Sequence, residues 1–264
     1  MNTTYETIKI STQEEFITIV SLNRAEVKNA MNTKMVLELT DFFKNISLKN
    51  DTTRCLILTG GQVGSFCSGA DLKERINMAS DEWLRHYEKR QALVKAMANN
   101  TLPIIAAIGG PAFGGGCEIA LACDFIYAAD NAIFALSEVR LGIMPGAGGT
   151  QYLPRAIGIR RAKELIYTGN TFSAQDAYEW GLVNKLCCPN ELFSETLVTA
   201  KIIAANAPIS ILKAKNAIEK GSGVSLLQGL DIEADEYKST VVTNDRLEGI
   251  AAFNERRKAY FKGN

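Results

Sequence analysis

Residues 109–124, GGPAFGGGCEIALACD, constrain this chain more than any other stretch. An apolar run at 103–108 reads as a buried strand, three consecutive glycines (Gly114, Gly115 and Gly116) follow a short turn, and residues 118–123 resume as a mostly apolar helix. A strand feeding a glycine-lined helix start lets a ligand atom approach the backbone, and the first helical N–H groups have no partner inside the helix. Those donors sit at the positive end of the helix dipole and suit an anion. Glu118 selects among anions. A carboxylate in the first turn would repel a standing phosphate, so an oxyanion that exists only during reaction, with an acid or base beside it, is the better match.

The rest of the chain supplies a frame for that motif. Residues 5–10 and 16–22 alternate apolar and polar side chains around a polar break and predict a two-stranded hairpin. Residues 23–29 form a polar loop. From Asn32 the pattern turns helical, with Asn32 or Thr33 able to cap the start, and Met35, Leu37, Leu39, Phe42 and Phe43 fall near a 3.6 period. Short apolar runs at 55–60, 103–108 and 124–129 read as buried strands, and their strand-then-helix passages predict a largely parallel sheet with crossover helices. Between them, 74–100 is a long polar helix with Trp83, Tyr87, Leu93 and Met97 at helical spacing and His86 on its surface. Residues 142–150 are too rich in glycine for a regular element and read as a loop poised beside a ligand. Beyond 191 the strand rhythm is lost, so a boundary is expected near Pro189 and Asn190, between an α/β core (1–189) and a helical region (190–264).

Composition excludes several functions. Lysine plus arginine and aspartate plus glutamate both number 29, so no net field recruits nucleic acid or an anionic membrane. Six cysteines (Cys55, Cys67, Cys117, Cys123, Cys187 and Cys188) form no pair of CxxC units, and one histidine cannot build a His-rich metal site. The expectation is a cytoplasmic protein with reduced thiols and no metal. The polar start of the chain lacks a leader pattern, and no apolar run approaches the ~18 residues of a membrane span.

Three segments then resemble one known family in order and spacing. They are SFCSGADLKE at 65–74, GGGCE with ACD at 114–118 and 122–124, and Glu138 ahead of LG and PGAGGTQ at 141–142 and 145–151. Together they are similar to the enoyl-CoA hydratase/isomerase (crotonase) family, and the likeness runs from Asn23 and Arg24 to DRLEG at 245–249. The resemblance implies an α/β spiral of repeated ββα units closed by a C-terminal helical region, assembled as homotrimers or as hexamers of two trimers. It implies an acyl-CoA thioester substrate with no separate cofactor, since coenzyme A belongs to the substrate. The thioester oxygen would lie between the backbone N–H groups of Ala70 and Gly115. Ser68, Ala70, Asp71, Leu72, Lys73 and Gly115 would line the CoA channel, and Arg24 and Lys28 would touch CoA phosphates. Asp71 could equally cap a following helix, and Lys28, Lys73 and Arg24 could be solvated surface charges.

Glu118 and Glu138 are the expected catalytic pair of a hydratase. Adding water across a double bond conjugated to a thioester needs a base for water and an acid for the α-carbon, while charge builds on the thioester oxygen. Glu118 is expected to orient and activate water, and Glu138 to protonate the α-carbon. Double-bond isomerisation on the same fold commonly manages with one carboxylate. A methylglutaconyl-CoA hydratase is a further alternative, suggested by ADLKER at 70–75 and by DRLEG, but a carboxylated acyl group needs a cation in the pocket and the sequence alone locates none. RNA binding through an early basic helix is disfavoured, because 32–49 carries only Lys34, Lys44 and Lys49 beside Glu38 and Asp41. Cys117 has no second histidine to act as its base, which argues for packing rather than nucleophilic catalysis.

Overall fold

The architecture comes from a computed structural model describing residues 5–47, 52–61 and 64–264. Residues 1–4, read above as part of a leader-free start, and Lys49 lie outside the described residues. The hairpin is β1 (Ile8–Glu14) and β2 (Ile17–Leu22), paired antiparallel. Helix α1 (Thr33–Asn45) starts where Asn32 accepts the Met35 N–H at 2.9 Å, and it turns Met35, Leu39, Phe42 and Phe43 inward. Strand β3 (Cys55–Thr59), helix α2 (Ser80–Ala98) and strand β4 (Ile104–Ile108) follow. The motif at 109–124 resolves into β5 (Ala112–Phe113) and α3 (Gly115–Leu121). Next come β6 (Phe125–Ala129), β7 (Ile133–Ala135), α4 (Gly149–Ile157), α5 (Ile159–Thr168), β8 (Thr171–Ser173), α6 (Ala174–Glu179) and β9 (Lys185–Cys187). The chain closes with α7 (Leu192–Ala205), α8 (Pro208–Gly221), α9 (Leu226–Val241) and α10 (Asn244–Glu255).

Two sheets organise these elements. The larger runs β1-β2-β3-β4-β6-β9 and is parallel from β2 onward, while the smaller runs β5-β7-β8. Successive turns of chain place one strand in the first sheet and the next in the second: β4 then β5 then α3, and β6 then β7 then α4. Two parallel bridges, Met31 with Ala70 and Cys67 with Ala112, extend the second layer back through earlier turns. This is the expected spiral of ββα units. Periodicity could not reveal it, because the second layer is built from pieces of two or three residues.

The parallel strands are buried on both faces, as crossover topology requires. Leu56 and Leu58 of β3 point into the main core with Phe66, Leu93, Met97 and Phe134, while Cys55 and Ile57 point to a second cluster formed with Leu192, Ala200 and Ala204 of α7. Helix α7 therefore packs on the sheet although it follows Pro189. Helices α8 and α9 pack against each other and leave Leu226 and Leu227 more than 70% exposed. Gly149 and Thr150, expected in a loop, form the first turn of α4, because Gly148 takes the left-handed conformation (φ +105°) and lets the helix begin there.

Candidate active site

The smaller sheet brings two uncommitted amides together. Met31 donates its N–H to the Gly69 carbonyl at 2.7 Å and Asp71 donates to Met31 at 3.0 Å, which fixes Ala70 from both sides while its own N–H finds no acceptor among the described residues. Phe113 donates to the Cys67 carbonyl at 2.9 Å, so this segment lies alongside the start of α3. Gly114 donates to Ala135 of β7 at 2.8 Å and adopts φ +49°, a conformation that strains residues with a Cβ. Gly115 is then the first helical residue, and its N–H has no internal partner. Both amides border one cavity of about 460 Å³.

Glu118 and Glu138 open into that same cavity. Glu118 projects from the first turn of α3 and is 1% exposed. Its Oε1 accepts the N–H groups of Ala147 at 2.7 Å and Gly149 at 2.9 Å, which leaves Oε2 without a protein donor among the described residues. The loop at 142–150 thus serves to hold one carboxylate oxygen. Burial pushes the Glu118 carboxyl above its ordinary range, against the pull of those two amides and of Arg90. Glu138 begins the short 3-10 turn Glu138–Leu141 that follows β7. Burial and the neighbouring Glu118 charge push it up to about 7, and its buried Oε2 has no partner among the described residues. Its Oε1 lies 3.2 Å from where a Cβ on Gly114 would sit, so a side chain there would press on the Glu138 carboxyl.

The expected CoA contacts divide. Ser68, Ala70, Leu72 and Gly115 border the cavity, whereas Arg24, Lys28, Asp71 and Lys73 do not. Arg24 Nη1 pairs with Asp71 Oδ2 at 3.0 Å and also donates to the Ala30 carbonyl, so each spends its charge on the other. Asp71 in addition accepts the Lys73 N–H at 3.2 Å as the cap of the 3-10 turn Leu72–Arg75, the structural role it could equally have had. Lys28 and Lys73 are exposed. Cys117 is fully enclosed, and burial pushes its thiol well up, which fits packing.

His86 is a correction. Expected on the surface of α2, it is 7% exposed and borders the cavity with Trp83, Leu84, Tyr87 and Arg90. Arg75 joins this wall from the 3-10 turn, its guanidinium 4.7 Å from the Trp83 ring centre. The signal was present as positions 83, 86, 87 and 90, an i, i+3, i+4, i+7 stripe, but a stripe mixing aromatic and cationic residues does not register as an apolar face. Among the described residues no group of three His, Cys, Asp or Glu side chains could hold a metal ion.

Residues 12–264 match the family model described as enoyl-CoA hydratase/isomerase. A crystal structure of an enoyl-CoA hydratase from Bacillus anthracis superposes with a TM-score of 0.95 at 41% identity, covering 98% of this chain and 100% of that one. The mitochondrial enoyl-CoA hydratase of Pongo abelii is 40% identical over 92% of this chain and 83% of its own. The human mitochondrial methylglutaconyl-CoA hydratase is also 40% identical, over 94% and 74%.

Proposed function

The chain belongs to the enoyl-CoA hydratase/isomerase family, and from that premise we propose that it hydrates a 2-enoyl-CoA to a 3-hydroxyacyl-CoA. The observation that carries the proposal is the sharing of one cavity by two glutamates and two unpaired amides. In this reading the thioester oxygen accepts the N–H groups of Ala70 and Gly115, and a water molecule lies between Glu118 and Glu138. Glu118, with one oxygen tied to Ala147 and Gly149, uses the other to take a proton from water as the oxygen bonds to C3. The π electrons move onto the thioester oxygen. Glu138, poised at about 7, carries the proton that C2 receives as the enolate collapses. Both additions occur on the face the glutamates share, so the stereochemistry is syn. Proton exchange between the two carboxyls restores the starting state.

Magnitudes support this division. Each oxyanion-hole donor is worth roughly 3–4 kcal/mol where such donors have been removed, and a positioned acid or base typically adds ~10²–10⁴-fold. The test is hydration of crotonyl-CoA by the purified full chain, followed by loss of the conjugated enoyl absorbance. Glu118→Gln and Glu138→Gln should each lower kcat by ~10²–10⁴-fold while CoA-ester binding persists; full turnover by both variants would refute the assignment. Isomerisation, which needs one proton carrier, would survive one of the two substitutions. We also propose a homotrimer, or a hexamer of trimers, formed through the C-terminal helices; the exposed Leu226, Leu227 and Phe253 support it, and light scattering tests it.

A further inference from the structure

The wall that α2 and the turn before it give the cavity has more hydrogen-bond donors than acceptors. Arg90 Nε and Nη2, Arg75 Nε and His86 Nε2 are all buried without a partner among the described residues. Glu74 Oε2 is 3.6 Å from His86 Nε2, too long for a hydrogen bond. On the acceptor side, among the described residues, Glu138 Oε2 is buried without a partner and Glu118 Oε2 has no protein donor. Neither arginine is bonded to the catalytic glutamates: Glu118 spends Oε1 on backbone amides, and Arg90 acts on it only through space. The two guanidiniums repel one another, and burial with that repulsion lowers Arg90 to about 10, so it remains charged at neutral pH. Around them the wall is apolar, with Trp83, Leu84, Ile143 and Met144. An unbranched hydrocarbon chain would leave every one of these buried donors unsatisfied. A carboxylate would satisfy several at once, since a guanidinium presents paired N–H groups to two carboxylate oxygens.

We propose that Arg75 and Arg90, with His86 beside them, receive a carboxylate carried on the acyl group, so that the preferred substrate is the CoA thioester of an unsaturated dicarboxylic acid. The inference rests on the hydratase reading, which seats the acyl group in this cavity. The anion could otherwise be a phosphate of coenzyme A, and the test separates the two because every ligand in it carries the same CoA.

Binding is measured by calorimetry with two unreactive saturated esters, glutaryl-CoA and 5-methylhexanoyl-CoA, whose ends have the same shape and differ in charge. Wild type should hold glutaryl-CoA at least tenfold tighter. Arg75→Met and Arg90→Met should each bring the ratio toward one, and Arg75→Lys and Arg90→Lys should keep part of it, with circular dichroism confirming that each variant is folded. A wild-type ratio of one or below overturns the proposal, as does a ratio unchanged in both methionine variants or an equal loss of both ligands, the mark of a phosphate contact. In parallel, hydration of glutaconyl-CoA and crotonyl-CoA is assayed. If neither is hydrated the hydratase reading fails, whereas hydration of crotonyl-CoA without a preference for the dicarboxylic ester defeats only this inference.

Discussion

The two sides of the cavity are made from different materials. One side is backbone: the segment at 67–70, the turn at Gly114 and the first turn of α3 present amides whose positions are set by the smaller sheet. The other is side chain: α2 and the 3-10 turn before it present Trp83, His86, Arg90 and Arg75. In the proposed reaction the backbone side would serve the part common to every CoA thioester, the carbonyl that turns negative, and the side-chain side would meet the acyl group, which differs between substrates. Shared chemistry would then sit on ladders where a change is costly, and discrimination on a helix face where a residue can change without moving the amides.

The sharpest way to break that contrast is to add one methyl group on the rigid side. A Cβ on Gly116 would lie 2.7 Å from the Cys67 Cβ and 2.9 Å from its sulfur, inside normal contact distance. Gly116→Ala should therefore cost about 1–3 kcal/mol of stability through overpacking. The larger effect is on rate, because Cys67 leads directly to Ala70 and misplacing a reacting group by ~1 Å can cost ~10²-fold. Crotonyl-CoA hydration should fall by about that factor, with a lowered Tm. Wild-type turnover in the alanine variant would show that the amide pair is not held by this packing.

The next effect depends on pH and sharpens the role of the carboxyl between the two sides. In the proposed reaction Glu138 must carry a proton to give one, and its carboxyl is raised to about 7. As pH rises through 7 the acid form is lost, so kcat/KM should fall, approaching tenfold per unit well above it. Glu138→Gln should abolish this limb along with most of the activity. The stability sign is opposite in origin. A carboxyl raised in the folded protein favours the native state less and less as pH climbs from the unfolded value near 4.5 to about 7, because ionisation is then easier in the unfolded chain. Glu138→Gln should accordingly raise Tm by about 2–4 °C at pH 8 and change it little at pH 4. A pH-independent rate, or a Tm difference equal at both values, would place the proton elsewhere.

The same contrast explains what could be read from residue order. The glycine triplet declares its need for close backbone approach, and Glu118 stands in the turn that follows, so an anion-accepting helix start and its carboxylate are legible in sixteen residues, whereas the pairing of Gly115 with Ala70 comes from the family resemblance. Glu138 was reachable by its position after one further strand. The two-layer spiral was not legible bottom-up, since β5, β7 and β8 have two or three residues each and carry no period. Nor was the α2 wall. Which face of a polar nineteen-residue helix turns inward depends on the cavity it covers, and burial there is decided by tertiary packing. Arg24 and Asp71 present another case: complementary charges 47 positions apart pair across a loop, a pairing that spacing cannot announce.

The smallest effect belongs outside both sides. Lys73 lies on the exposed edge of the turn and does not border the cavity, so any attraction it exerts on a CoA ester acts through solvent. Attraction between exposed charges is worth about 0–1 kcal/mol and weakens with salt. Lys73→Ala should then raise KM for crotonyl-CoA by no more than about fivefold at low ionic strength, leave kcat alone, and lose even that effect at high salt. A change in kcat would mean the lysine reaches past the rim to the reacting end of the thioester, and the separation between a rigid catalytic side and an adjustable outer surface would then have to be redrawn to include the turn at 72–75.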